Sequence, residues 1–143
     1  MGLFNGINIS ASGLTAQRLR MDLISSNIAN INTTKSEDGE PYRRKMPVFA
    51  AKLQEEISKL NKNNNSVGSG VQVVAIEDSK EPFKLMYNPN HPEADQNGYV
   101  KMPNINIVSE MTDMISATRA YEANVTAMNS AKAMAQSALK IGS

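Results

Sequence analysis

His91 is the only histidine in the sequence, and Glu93 and Asp95 follow it closely. An imidazole beside carboxylates can act as a general base or begin a metal site. Here it sits in Asn88-Pro89-Asn90-His91-Pro92-Glu93-Ala94-Asp95, a stretch too rich in proline for a regular element. Catalysis needs the ring held rigidly, so a solvated turn is the expected role. Gly68-Ser69-Gly70 lacks the Lys-Ser/Thr ending of a phosphate-binding loop and reads as a joint. Tyr42, Arg43 and Arg44, with Lys45 beyond them, could touch phosphates. Residues 33–101 nevertheless carry ten basic and ten acidic side chains, so a solvated strand face or a subunit contact is expected there, not nucleic acid. Cysteine is absent, which excludes disulfides and thiolate chemistry. The expectation is no enzyme, no cofactor, no metal and no small-molecule substrate.

The elements that carry these residues are set out by an uneven distribution of charge. Among 143 residues with a net charge of +1, residues 1–32 hold three charged side chains, residues 33–101 hold twenty and residues 102–143 hold six. Chain ends are usually the most solvated parts of a domain. Ends so poor in charge point to surfaces that something covers. No run reaches the ~18 apolar residues of a membrane-spanning helix. The opening Met1-Gly2-Leu3-Phe4-Asn5-Gly6 lacks the basic and apolar regions of a secretory signal, and Gly6 stands where myristoylation needs Ser or Thr.

Apolar residues recur in a four-then-three rhythm through Leu3, Ile7, Leu14, Met21, Ile24, Ile28 and Ile31, which predicts a helix with a coiled-coil-like seam. Leu19 and Leu23 lie off that seam. Gly13 costs such a helix about 1 kcal/mol relative to Ala. Asn27, Ala29, Asn30, Asn32 and Thr33 close the segment, because Asn and Thr compete with the helical backbone for hydrogen bonds. A second periodic stretch runs to Ile141 along Ile107, Met111, Met114, Thr118, Tyr121, Val125, Met128, Lys132, Ala135 and Leu139. Glu110 and Asp113 near its start and Lys140 near its end suit the helix dipole.

The middle changes character. Asp38-Gly39 marks a turn, followed by extended Tyr42 to Met46 and apolar Val48-Phe49. Ala51 to Leu60 is expected as a short helix, with an Asn/Lys-rich loop near 59–70. Val71 to Ile76 is the best strand in the chain, and Phe83 to Tyr87 is its expected antiparallel partner. Asn97-Gly98 turns into Tyr99-Val100-Lys101-Met102. The expected fold is α+β: an N-terminal helix over 1–32 and a C-terminal helix over 103–143 packed as an antiparallel coiled-coil-like hairpin, with a small β-rich middle module over 33–102 at one end.

Several of these stretches resemble the proximal-rod proteins of the bacterial flagellar basal body, the FlgC type. They are Ser26-Asn27-Ile28-Ala29-Asn30-Ile31-Asn32-Thr33-Thr34, Asp38 to Arg44, the His91 loop leading to Gly98-Tyr99-Val100, Pro103-Asn104-Ile105, and Arg119-Ala120-Tyr121-Glu122-Ala123-Asn124. The resemblance implies a structural subunit exported through the flagellar export apparatus without a cleaved signal. It also implies that the terminal helices pack with other rod and basal-body subunits into a tube around the export channel. On that reading the assembly interface is Ile7, Leu14, Met21, Ile24, Ile28, Met111, Met114, Tyr121, Val125, Met128 and Leu139, and Tyr42, Arg43 and Arg44 are a candidate subunit contact. The alternative from the residues alone is a soluble helical adaptor or export chaperone that holds a client with the same apolar faces.

Overall fold

A computed structural model describes residues 3–36, 39–52 and 70–141. Two helices frame two hairpins in the order α1 (Leu3–Ala29), β1 (Lys45–Ala51), β2 (Val71–Asp78), β3 (Lys84–Tyr87), β4 (Tyr99–Met102) and α2 (Ile107–Ile141). Helix α1 ends at Ala29, where Asn30 takes over: its side-chain Nδ2 donates to Ser26 O at 2.9 Å, satisfying a carbonyl at the open helix end. Thr33 Oγ1 then donates to Asn30 Oδ1, which fixes the exit of the chain. Helix α2 begins at an N-cap. Asn106 Oδ1 accepts from Val108 N at 3.0 Å and Ser109 N at 3.4 Å. Its 35 residues give a rod of roughly 50 Å at ~1.5 Å per residue. The two helices pack against each other as the α+β hairpin expected.

The strand pairing differs from expectation. β2 pairs with β1, from Lys45↔Asp78 to Ala51↔Val71 with a bulge between Val48 and Phe49, and β3 pairs with β4, from Lys84↔Met102 to Tyr87↔Tyr99. The expected β2–β3 hairpin does not form because the β1–β2 ladder already holds that chain at both ends, through Lys52 N to Gly70 O and Ser79 N to Arg44 O. β3 instead meets β4 across the His91 loop, which is closed by Asn88 N to Gly98 O and Asp95 N to Tyr99 O. Gly98, at φ +80°, lies so close beneath the Tyr87 ring and Pro89 that a Cβ there would crowd both. Ala51 closes β1 instead of opening a helix. The rest of the expected Ala51–Leu60 helix from residue 53 onward lies outside the described residues, as does the Asn/Lys stretch up to 69.

The β1–β2 hairpin lies along α1 and not only at one end of the helical pair. Lys45 is bonded to Asn27 near the end of α1. At the other end of the hairpin, Val71 N–H donates to Ser12 Oγ at 3.1 Å. Between Ser12 and Asn27 the helix rises roughly 22 Å, and seven extended residues cover about the same, so helix and strand match in length. Gly70 sits at this second anchor with φ +116°, and a Cβ there would lie 2.2 Å from Ser12 Oγ. Only glycine fits.

Candidate functional site: the helix seam and its polar clasp

The contact between α1 and α2 is made by small and polar residues. Ala16 and Ala117 are buried, Ala117 completely. Gly13 lets α2 come so near that a Cβ on it would lie 3.1 Å from Asn124 Cγ. Leu23 and Ile24 are the large apolar side chains buried on α1. The deep positions of α1 are therefore Gly13, Ala16, Leu23, Ile24 and Asn27, and those of α2 are Glu110, Ala117 and Ala131. Ile24 apart, each lies at or near one residue before the four-then-three rhythm. Close helix approach needs small side chains, and the rhythm marks large ones.

At the Asn27 end the seam turns polar. Asn27 is 1% exposed, and its amide uses all four hydrogen-bonding positions. Nδ2 donates to Lys45 O at 3.0 Å and to Glu110 Oε2 at 3.1 Å, while Oδ1 accepts from Lys45 N at 2.9 Å and from the Tyr42 hydroxyl at 3.1 Å. By taking both the N–H and the C=O of Lys45, Asn27 does for the open edge of β1 what a neighbouring strand would do. Glu110, also 1% exposed, receives Arg44 Nε on Oε1. The same guanidinium reaches Asp113 Oδ2 at 3.3 Å, and Arg20 reaches Asp113 Oδ1 at 3.0 Å. A buried carboxylate is tolerable only when paired and hydrogen-bonded, and this one is both. The clasp joins α1, β1 and α2.

Most of the sequence-predicted residues flank this seam. Ile7, Leu14, Met21, Ile28, Met114, Tyr121, Val125 and Met128 are half-buried, Ile24 is buried, and Met111 and Leu139 are 55% and 75% exposed. Met21 Sδ meets Thr118 Oγ1 at 3.6 Å, an inter-helix contact. In the motif closing α1, Asn27 is the centre of the clasp, Asn30 and Thr33 make the helix exit, and Ala29 and Asn32 are exposed. Tyr42 and Arg44 put their polar groups into the clasp. Arg43 stacks over the Phe83 ring at 4.3 Å and pairs with Glu40 at 3.5 Å. The importance of Glu110 and Asp113 was not read from the sequence, which offered only the helix dipole. One signal was available: in ends so poor in charge, an acid near the seam face requires a partner. His91 is half-buried, and its Nδ1 accepts from Glu93 N at 3.2 Å within the turn. Among the described residues no three His, Cys, Asp or Glu are grouped to hold a metal ion.

The family profile described as flagella basal body rod protein matches residues 7–35, which is α1 and its exit. A second, described as flagellar basal body rod FlgEFG protein C-terminal, matches residues 96–141, which is β4 and α2. Over nearly the whole chain the likeness is closer still. The flagellar basal-body rod protein FlgC of Borreliella burgdorferi is 51% identical across 99% of this chain and 98% of that protein. The FlgC proteins of Bacillus subtilis and Salmonella typhimurium are 47% and 39% identical, each across 99% of both chains. The chain belongs to the FlgC family. It is a structural subunit of the flagellar basal-body rod in its proximal part, and the adaptor reading falls away. The two profile matches fall on the helices that build the seam and on Asn27, Glu110 and Asp113 of the clasp, while Tyr42, Arg44 and Lys45 lie between them. Among the described residues no helix is long and apolar enough to cross a membrane.

Proposed function

We propose that this FlgC-family subunit joins its neighbours through the apolar flanks of its two helices, building a helical tube around the export channel that carries torque. The observation that supports this reading is the offset of the seam. Leu23 and Ile24 apart, the intrachain contact takes up small and polar residues, so the other large apolar ones are left beside it, half-buried or exposed. Exposed apolar residues that recur along a helix are what a partner helix covers. Val108, Met111 and Ile115 form such a stripe on α2, and Leu139 is a separate exposed apolar position near the far end. Ile24 then acts from inside the chain by holding the hairpin. Head-to-tail contacts that do not close build an open helix, and close-packed interiors resist twisting. On the same reading the chain reaches the periplasmic rod through the export apparatus without a cleaved leader, and its role there is mechanical, not catalytic. Arg43, with part of its side chain open to solvent, remains the member of the basic cluster best placed for a subunit contact.

The test uses Met111→Asp and Leu139→Asp. Both sites are exposed, so the isolated chain should keep its helical circular dichroism, while a carboxylate forced into an apolar contact costs several kcal/mol. Rods should then fail to incorporate the variant, and cells should lose motility. Normal rods from both variants would refute the assignment.

A further inference from the structure

We infer that the clasp selects one register of the helical hairpin, and that holding the hairpin together is the task of the seam. This goes beyond the assembly reading and does not depend on it, because it concerns the chain by itself. The packing of the seam nearly repeats. On α2 the face that meets α1 runs Glu110, Ala117, Asn124, Ala131, one residue per seven. On α1 the residue opposite Asn124 is Gly13, and the residue opposite Glu110 is Asn27. Sliding α2 by one heptad, about 10.5 Å, would set Gly13 against Ala131 and Asn27 against Ala117. At the close approach Gly13 would again meet a small residue, so packing there discriminates weakly.

The polar groups discriminate strongly. Asn27 would lose Glu110, and Arg20 would lose Asp113. Arg44 could not follow the slide. Its strand is bonded to α1 at both ends, by Asn27 to Lys45 and by Ser12 to Val71, so β1, β2 and α1 move as one piece. Every inter-helix bond of the clasp is therefore lost together on slipping. Buried ion pairs are often replaceable by apolar side chains without loss of stability, whereas fixing a register is the best-attested use of a buried polar group. A subunit repeated along a rod needs one relation between its helix faces and its hairpins, and the clasp supplies it.

The chain has no cysteine, so introduced pairs report the register cleanly. Gly13→Cys with Asn124→Cys reads the observed register, and Gly13→Cys with Ala131→Cys reads the slipped one. Each pair is made in the native background and in one carrying Asn27→Leu, Arg44→Met and Glu110→Leu. Oxidation by copper-phenanthroline is followed at low concentration, and intramolecular product is separated from dimer. In the native background the first pair should close at least about tenfold faster than the second. In the apolar background the helical signal should persist while this preference shrinks by about threefold or more. A preference that stays the same would overturn the inference. Loss of the helices would overturn it equally, because the clasp would then be a source of stability and not of register.

Discussion

Arg44→Met tests the electrostatics of the clasp most directly. The substitution keeps an unbranched apolar stem of similar length and removes the guanidinium. Glu110, at 1% exposure, then loses the charge that faces Oε1 and keeps only the Asn27 amide on Oε2. Breaking a buried pair by deleting one partner costs 3–5 kcal/mol in general. The surviving amide donor puts this case near the lower end, about 3 kcal/mol. Asp113 is 38% exposed and retains Arg20, so its share is at most ~1 kcal/mol. For a chain of this size about 3 kcal/mol corresponds to a fall in Tm of roughly 6–12 °C, measured by circular dichroism with a urea titration to confirm an unchanged m-value. Adding Glu110→Leu to Arg44→Met should return most of the loss, since no unpaired charge then remains. A single variant within about 0.5 kcal/mol of the native chain would refute the reasoning, as that is the range of an ordinary surface change. So would a double variant no better than the single one.

Two further substitutions probe how the clasp is delivered. Gly70→Ala should destabilise by about 2–3 kcal/mol, because φ is +116° and the new Cβ would strike Ser12 Oγ; urea unfolding measures it, and a neutral result would show that the β1–β2 anchor on α1 is soft. Asn106→Ala removes the cap from Val108 N and Ser109 N and should cost about 1 kcal/mol. Asn106→Asp should cost little or stabilise, the carboxylate favouring the helix N-terminus. Hydrogen exchange at Val108 and Ser109 separates the two.

The helices were legible because they rest on local rules. Periodicity and an Asn-rich exit place both helices near their observed limits, Leu3–Ala29 inside the expected 1–32 and Ile107–Ile141 inside the expected 103–143. Strand positions were legible from composition for the same reason. Their pairing was not, since Val71–Asp78 has candidate partners on both sides in sequence and the choice is made by distant bonds such as Ser79 N to Arg44 O. The clasp was hidden more deeply. Its bonded partners lie between 15 and 93 positions apart along the chain, and each has an adequate local explanation: Asn27 as a helix terminator, Glu110 as a dipole partner, Arg44 as a solvated strand residue. Burial alone distinguishes these roles from the real one.

The offset between rhythm and seam connects the fold to the work the family does. One residue along an α-helix is a rotation of about 100°. Had Leu14, Met21, Ile28 and their counterparts on α2 pointed straight at each other, the hairpin would have covered its own apolar surface, and α1 and α2 would have little left to offer a neighbour. Turning each helix by one position brings Gly13, Ala16 and Ala117 into the contact and moves the larger side chains to its margins. The cost is a seam with few large groups to interlock, which is a poor guide to register. The polar clasp answers that deficiency at one end, and Leu23 and Ile24 beside it supply what large apolar packing remains. On the proposed assembly and register roles, adhesion and uniqueness fall to different residues of the same two helices, so Met111→Asp should disturb neighbours without touching the hairpin, and loss of the clasp should disturb the hairpin while its apolar flanks stay intact.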